Sequence, residues 1–227
     1  MEEGNKIILS LLGYKFSISE AVIIEWAILL ICLIFCIIVK NILKKGIPDK
    51  KQSIVEMIVE GINNLVTSTM GEGAAVFVPY IGTLVIFLLL MNISGLFGVE
   101  PPTKDFSVTS GVAAISFVVI QAYAIKKHGL KSYFIGYARP TWVLLPINIM
   151  ERIMLPVSLS LRLFGNITAA SIIIELVYSG LAKTPLGIGQ LAIPTPLHFY
   201  FDIFDGGLQM LIFAMLTMIN IKTVSEH

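Results

Sequence analysis

Apolar residues come along this chain in long blocks rather than at the spacing of a soluble amphipathic helix or strand. Ala21–Val39 carries Glu25 as its only charge, and Val78–Val99 and Phe106–Ile125 carry none. A helix crossing a bilayer needs about 20 predominantly apolar residues, so each block reads as a span. Two later blocks are longer and less clean. Thr141–Leu181 contains Glu151, Arg152, Arg162 and Glu175, and Gln190–Ile221 contains His198, Asp202 and Asp205. Both exceed one perpendicular crossing, which predicts long helices that are tilted or bent. Between the first two blocks, Lys51–Met70 sets Ile54, Met57, Ile58 and Leu65 against Glu56, Glu60, Asn63 and Asn64. That amphipathic pattern predicts a helix lying on the cytoplasmic membrane surface. Pro48, Pro101-Pro102, Pro140 and Pro185 mark the joints. The expected fold is all-α and membrane-integral, with about five crossings and one surface helix, and residues 1–227 forming one membrane domain.

Composition agrees with lipid as the solvent. The 227 residues are 56% hydrophobic and 14% charged, with mean hydropathy +0.87, where a soluble domain carries about 25% charged residues. A formal net charge of +1 provides no overall field for nucleic acid. No soluble domain, repeat or nucleotide-binding element is evident, and no cofactor site is expected. Cys32 and Cys36 sit four apart within an apolar run and read as small buried hydrophobes. The start Met1-Glu2-Glu3 lacks a basic region, so no cleavable signal is expected.

Charge placement predicts orientation. Lys40, Lys44, Lys45, Lys50 and Lys51 follow the first span, and Lys126, Lys127, Lys131 and Arg139 follow the third. The loop Glu100–Asp105 after the second span is not basic overall. By the positive-inside rule the N-terminus is outside and the C-terminus, with Lys222, is cytoplasmic.

Ionisable groups within spans are costly, about 2.5–3.5 kcal/mol each on insertion scales, and are functional candidates by default. At about 100° per residue, Glu151 lies at about −20° from Arg162, Asn148 and Asn166 at about +40°, and Ser158 at about −40°. Beyond Arg162 the polar residues change sides, with Ser171 at about 180° and Glu175 at about 220°. On the last helix, His198, Asp202, Asp205 and Gln209 share one face within about 40°. Two offset polar paths follow. One runs from outside between Ser171/Glu175 and His198/Asp202/Asp205, and the other towards the cytoplasm past Glu151 and Asn148. A fixed cation, Arg162, stands at the break between them. His198 and Asp202 have metal-ligand spacing, but two ligands are too few, and no metal site is expected. A secondary transporter would show an internal repeat, and none is visible. The acids Asp202 and Asp205 share one helix, whereas paired hydrolytic acids sit on facing elements.

The run Ser158-Leu-Ser-Leu-Arg162-Leu-Phe-Gly-Asn166 closely resembles the signature helix of subunit a of bacterial F-type ATP synthases. Phe77-Val-Pro79-Tyr-Ile-Gly82-Thr83, Met91-Asn92-Ile-Ser-Gly95-Leu-Phe-Gly98, Pro101-Pro102-Thr103-x-Asp105 and Leu208-Gln209-Met-Leu-Ile-Phe213 extend the resemblance. The first 50 residues or so are uninformative. The resemblance implies a non-catalytic stator subunit in the bacterial plasma membrane. Its partners would be a rotating c-subunit ring, the subunit b peripheral stalk and the other ATP synthase subunits. It also implies that Arg162 faces the ring carboxylates and blocks leakage, that Gln209 packs opposite it, that Asn166 lies one turn further on, and that Asp202 serves an external half-channel. Ser171 departs from the family's frequent glutamate, with the acid one turn later at Glu175, so Asp202 with Glu175 or Asp205 is the expected external relay. Protons are the expected ion and sodium the alternative.

Overall fold

A computed structural model describes residues 6–11, 14–42, 50–131, 133, 141–182 and 193–226. Pro48, Pro140, Pro185, Lys44, Lys45 and Arg139, invoked above, lie outside these residues. Among the described residues five helical segments have the length and apolarity to cross a membrane: Glu20–Asn41, Glu72–Phe97, Phe106–His128, Trp142–Leu181 and Pro194–Val224. They coincide with the five apolar blocks of the sequence, and the chain is an α-helical, multi-pass membrane protein.

The elements follow in order as α1 (Glu20–Ile42), α2 (Lys50–Met70), α3 (Val78–Ile93), α4 (Phe106–His128), α5 (Leu145–Leu181), α6 (Pro194–His198) and α7 (Gly206–Glu226). A π-helical turn, Phe199–Asp205, joins α6 to α7. Before α1 stands an antiparallel hairpin, β1 (Lys6–Leu11) and β2 (Tyr14–Ser19), with Ile7 opposite Ile18 and Leu9 opposite Phe16. The second span was expected to continue to Val99. Instead α3 tightens into a 3-10 turn, Ser94–Phe97, and stops at Gly98, whose φ of 72° is the left-handed conformation that glycine adopts without a Cβ penalty. Asp105 then starts α4 by accepting a hydrogen bond from the Ser107 amide at 2.8 Å, which satisfies one of the unpaired donors of a helix start.

Two buried clusters hold the helices together. Leu84, Leu88 and Met91 of α3 meet Val108 and Val112 of α4, Leu159 and Leu163 of α5, and Phe213 of α7, with Ile28 of α1 at the edge. Towards the other end, Val66 of α2 meets Ile81 of α3, Ile120 of α4, and Met218 and Ile221 of α7. In lipid the hydrophobic effect does not pull helices together, so close backbone approach and dispersion must. Ala113, Ala124 and Ala214 are fully buried at these contacts, small enough to allow it. The Tyr80 hydroxyl bonds Ser116 Oγ at 2.8 Å between α3 and α4. The Lys222 Nζ bonds the Thr69 carbonyl at 3.3 Å, tying the end of α7 to the end of α2.

The periphery is apolar. On α1, Trp26, Leu30, Leu33 and Ile37 are exposed, and only 6% of its most apolar stretch is buried. The cysteines expected to be buried there are half-exposed at Cys32 and exposed at Cys36, because α1 touches its neighbours along one narrow face. On α2, Ile54, Met57 and Ile58 are exposed, while Gln52 and Val55 near its start are buried and Val66 near its end joins the second cluster. Helix α5, with 37 residues and Pro156 within it, is about 55 Å long against a hydrocarbon core of about 30 Å. It cannot cross perpendicular to the bilayer and remain within it.

Candidate functional site

The last span deviates from the α-helix where its polar residues are. Phe199–Asp205 has π-helical bonding, in which each ring closes from i to i+5 and holds one residue more than an α-turn. The uniform 100° spacing that put His198, Asp202, Asp205 and Gln209 on one face does not run through this turn. Asp202 and Gln209 are nonetheless both buried, at 8% and 7% exposure, while His198 and Asp205 are half-buried. Three of the turn's four aromatic residues face outwards, and Phe201 is half-buried. Phe199, Tyr200 and Phe204 are exposed, with Tyr200 stacked on Phe204 at 5.5 Å between centroids.

Asp202 is the one buried acid among the described residues. Its Oδ2 lies 2.8 Å from Nδ1 of His198, one turn earlier. The Tyr178 hydroxyl, from the C-terminal part of α5, lies 3.4 Å from Nε2 of the same ring. With Nδ1–H donating to the carboxylate, a neutral imidazole accepts from the tyrosine at Nε2. Three titratable groups on two helices thus form one line, Tyr178, His198, Asp202. Sequence spacing missed Tyr178, because its partner lies across a helix contact and an aromatic near a helix end has no distinguishing pattern.

The end of α3 forms the floor under Asp202. A Cβ on Gly95 would meet the Asp202 carboxylate at 3.0 Å. Asn92, fully buried, donates from Nδ2 to the Gly206 carbonyl at 2.8 Å and accepts at Oδ1 from the Thr103 hydroxyl at 3.2 Å. Neither residue was singled out for a role by sequence reasoning, although both stand in the Met91–Gly98 run.

Helix α5 separates the other candidates. Arg162 lies at its middle and is exposed on its outer face, together with Glu151, Ser158, Leu161, Gly165 and Ala169. Among the described residues no hydrogen bond or ion pair engages its guanidinium, and none joins it to Gln209. Asn148 and Asn166 are half-buried beside this face. Ser171 is half-buried and donates to its own helix, to the Ile167 carbonyl at 2.9 Å, and Glu175 is exposed. Neither meets His198 or Asp202 by a hydrogen bond, so Tyr178 is the α5 residue that does. Among the described residues no cluster of three or more His, Cys, Asp or Glu could hold a metal ion.

The fold and these groups define a polytopic helical membrane protein with a carboxylate–imidazole–phenol line in one helix pair and a lone guanidinium on an outer face. A family model described as ATP synthase A chain matches residues 22–222. The chain is 31% identical over 226 residues to the "ATP synthase subunit a, sodium ion specific" of Propionigenium modestum, covering 92% of this chain and 75% of that protein. It is 32% identical to the "ATP synthase subunit a" of Geotalea daltonii, covering 97% and 93%, and 32% identical to that of Listeria welshimeri, covering 96% and 97%. The chain belongs to the family of subunit a of the F-type ATP synthases, components of the membrane sector of that complex.

Proposed function

We propose that this chain is the ion-translocating stator of its ATP synthase, offering two offset half-channels to a rotating ring of c subunits. The observation that carries the reading is the place of Arg162. A permanent charge in the middle of a span, exposed and without a counter-ion among the described residues, calls for one from a partner. A ring presenting carboxylates in turn supplies it. Arginine suits this role better than lysine, because its guanidinium stays protonated in a low dielectric. The passing carboxylate pairs with Arg162 in its charged form, gives up its ion there, and no ion crosses directly between the half-channels. Small residues Gly165 and Ala169 beside Arg162 leave room for a close partner helix.

The external half-channel is assigned to Tyr178, His198 and Asp202. A proton taken at Nε2 of His198 frees the Nδ1 proton for the Asp202 carboxylate, and the ring returns to neutral. Asp205, Glu175, Ser171 and Asn166 line the approach to the ring, Gln209 stands on the helix behind Arg162, and Glu151 marks the cytoplasmic exit. The N-terminus is outside, α2 lies on the cytoplasmic surface of the plasma membrane, and subunit b is a further partner. The chain acts as one membrane unit and performs no catalysis itself. Each charge moved through the membrane potential provides about 2.3 kcal/mol per 100 mV, so ATP synthesis needs several ions and tolerates little leakage at Arg162.

The test is ATP synthesis in vesicles carrying the whole complex. Arg162→Ala is expected to abolish it, and retained synthesis would refute the stator reading. Asp202→Asn tests the relay in the same way. A sodium-specific relative favours a second reading in which the ion is sodium. Synthesis driven by a sodium gradient with an uncoupler present decides for sodium, and its failure decides for protons.

A further inference from the structure

We infer that Asn92 and Gly95, at the end of α3, are positioning residues that set where the Asp202 carboxylate stands. The inference rests on the reading of Asp202 as the external relay. The end of α3 and the π-helical turn approach each other at two points. At Gly206, just after the turn, an added Cβ would stand 3.0 Å from the Asn92 Cβ. At Gly95, an added Cβ would stand 3.0 Å from Cγ and Oδ2 of Asp202 and 3.1 Å from Oδ1. Both are tighter than ordinary van der Waals contact. The carboxylate therefore occupies the space a side chain at residue 95 would take.

Asn92 locks the same contact from below. Its amide is fully buried, and both of its ends are bonded, Nδ2 to the Gly206 carbonyl and Oδ1 to Thr103. A buried amide satisfied at both ends has one orientation, since any other strands a donor or an acceptor. It therefore fixes the C-terminal edge of the turn, four residues beyond Asp202. π-turns are rare, and this one adds to its own bonding the bond from Asn92 to the Gly206 carbonyl. Asn92 pins the turn, Gly95 leaves the space, and His198 orients the acid. Neither Asn92 nor Gly95 titrates, so their effect on ion transfer passes through the place of Asp202.

The experiment uses vesicles with the complete complex, and reads ion-driven ATP synthesis per assembled complex. Gly95→Ala is expected to lower it about tenfold or more, since a displacement near 1 Å of a reacting group costs up to about 10²-fold. Asn92→Ala is expected to lower it about two- to tenfold, the value of a typical hydrogen bond. The decisive variant is the transposition Gly95→Asp with Asp202→Gly, which supplies the carboxylate to the same space from α3. It is expected to regain part of the synthesis that Asp202→Gly alone loses. A merely structural role for residue 95 predicts no such recovery, and a double variant no better than Asp202→Gly overturns the proposal. Wild-type synthesis by Gly95→Ala also overturns it. Should Gly95→Ala fail to assemble, the double variant decides alone. Wild-type synthesis by Asp202→Asn removes the relay reading itself, whereas an inactive Asp202→Asn beside an active Gly95→Ala removes only the positioning role.

Discussion

Tyr178 shows how little side-chain chemistry separates an ordinary membrane aromatic from one that meets His198 across a helix contact. Tyrosine is common near span ends, where its ring sits among headgroups. This one is distinguished only by a hydroxyl 3.4 Å from His198 Nε2, a long contact that a small shift of α5 would tighten or break. Tyr178→Phe keeps the ring contact with His198 and deletes the donor. Ion-driven synthesis is expected to fall by about two- to tenfold, short of the loss in Asp202→Asn, because a typical hydrogen bond is worth about 0.5–1.5 kcal/mol net. An unchanged rate would take Tyr178 out of the relay. Arg162, Asp202 and Gln209 stood out in the sequence as candidates because a charge or amide within an apolar span is conspicuous. Tyr178, Asn92 and Gly95 were not, because their significance lies in what another helix brings to them.

At the scale of elements, the spans were legible because lipid imposes one simple demand, apolar length, and five blocks met it. The helix α2 was legible for a different reason, its alternation of Ile54, Met57 and Ile58 with Glu56 and Glu60. The hairpin was not anticipated, although Tyr14-Lys15-Phe16-Ser17-Ile18-Ser19 alternates at period 2, the signal of a strand. The π-helical turn has no such signal. Phe199–Asp205 reads as a helix of any kind, and the wider ring appears where the chain packs against the end of α3. The inner side of α7 is closely packed as well. Ala214 is fully buried among α3, α4 and α7, so Ala214→Leu is expected to destabilise the bundle by about 1–3 kcal/mol. The midpoint of unfolding in a detergent titration checks it, and an unmoved midpoint would mean that the helices have slack there.

For the molecule as a whole, the outer surface of α5 differs from that of α1. Both expose large apolar side chains, such as Trp26, Leu30 and Leu33 on α1 and Met150, Leu161 and Leu176 on α5, but α5 also exposes Ser158, Arg162, Gly165 and Ala169. Large apolar groups suit fluid acyl chains, and small groups around a charge suit a fitted neighbour. A Cβ on Gly165 meets nothing within 4 Å in this chain. Gly165→Leu is therefore expected to leave the isolated subunit as stable as before, or slightly more so, since glycine is a poor helix residue. In the assembled complex it is expected to depress ion-driven synthesis strongly. Equal synthesis by the variant and the parent would place the partner surface elsewhere.

The bond from Ser171 to the Ile167 carbonyl, 2.9 Å long, has a bearing on how a proton wire can be laid through this subunit. A hydroxyl has one proton to give, and Ser171 spends it on its own helix. Its lone pairs still accept, so a water can end a chain there, but the serine cannot hand a proton onward without first releasing the backbone. Along that route Ser171 is a terminus rather than a link. In the proposed half-channel a proton would instead pass through the imidazole of His198, where two nitrogens let it arrive on one side and leave from the other.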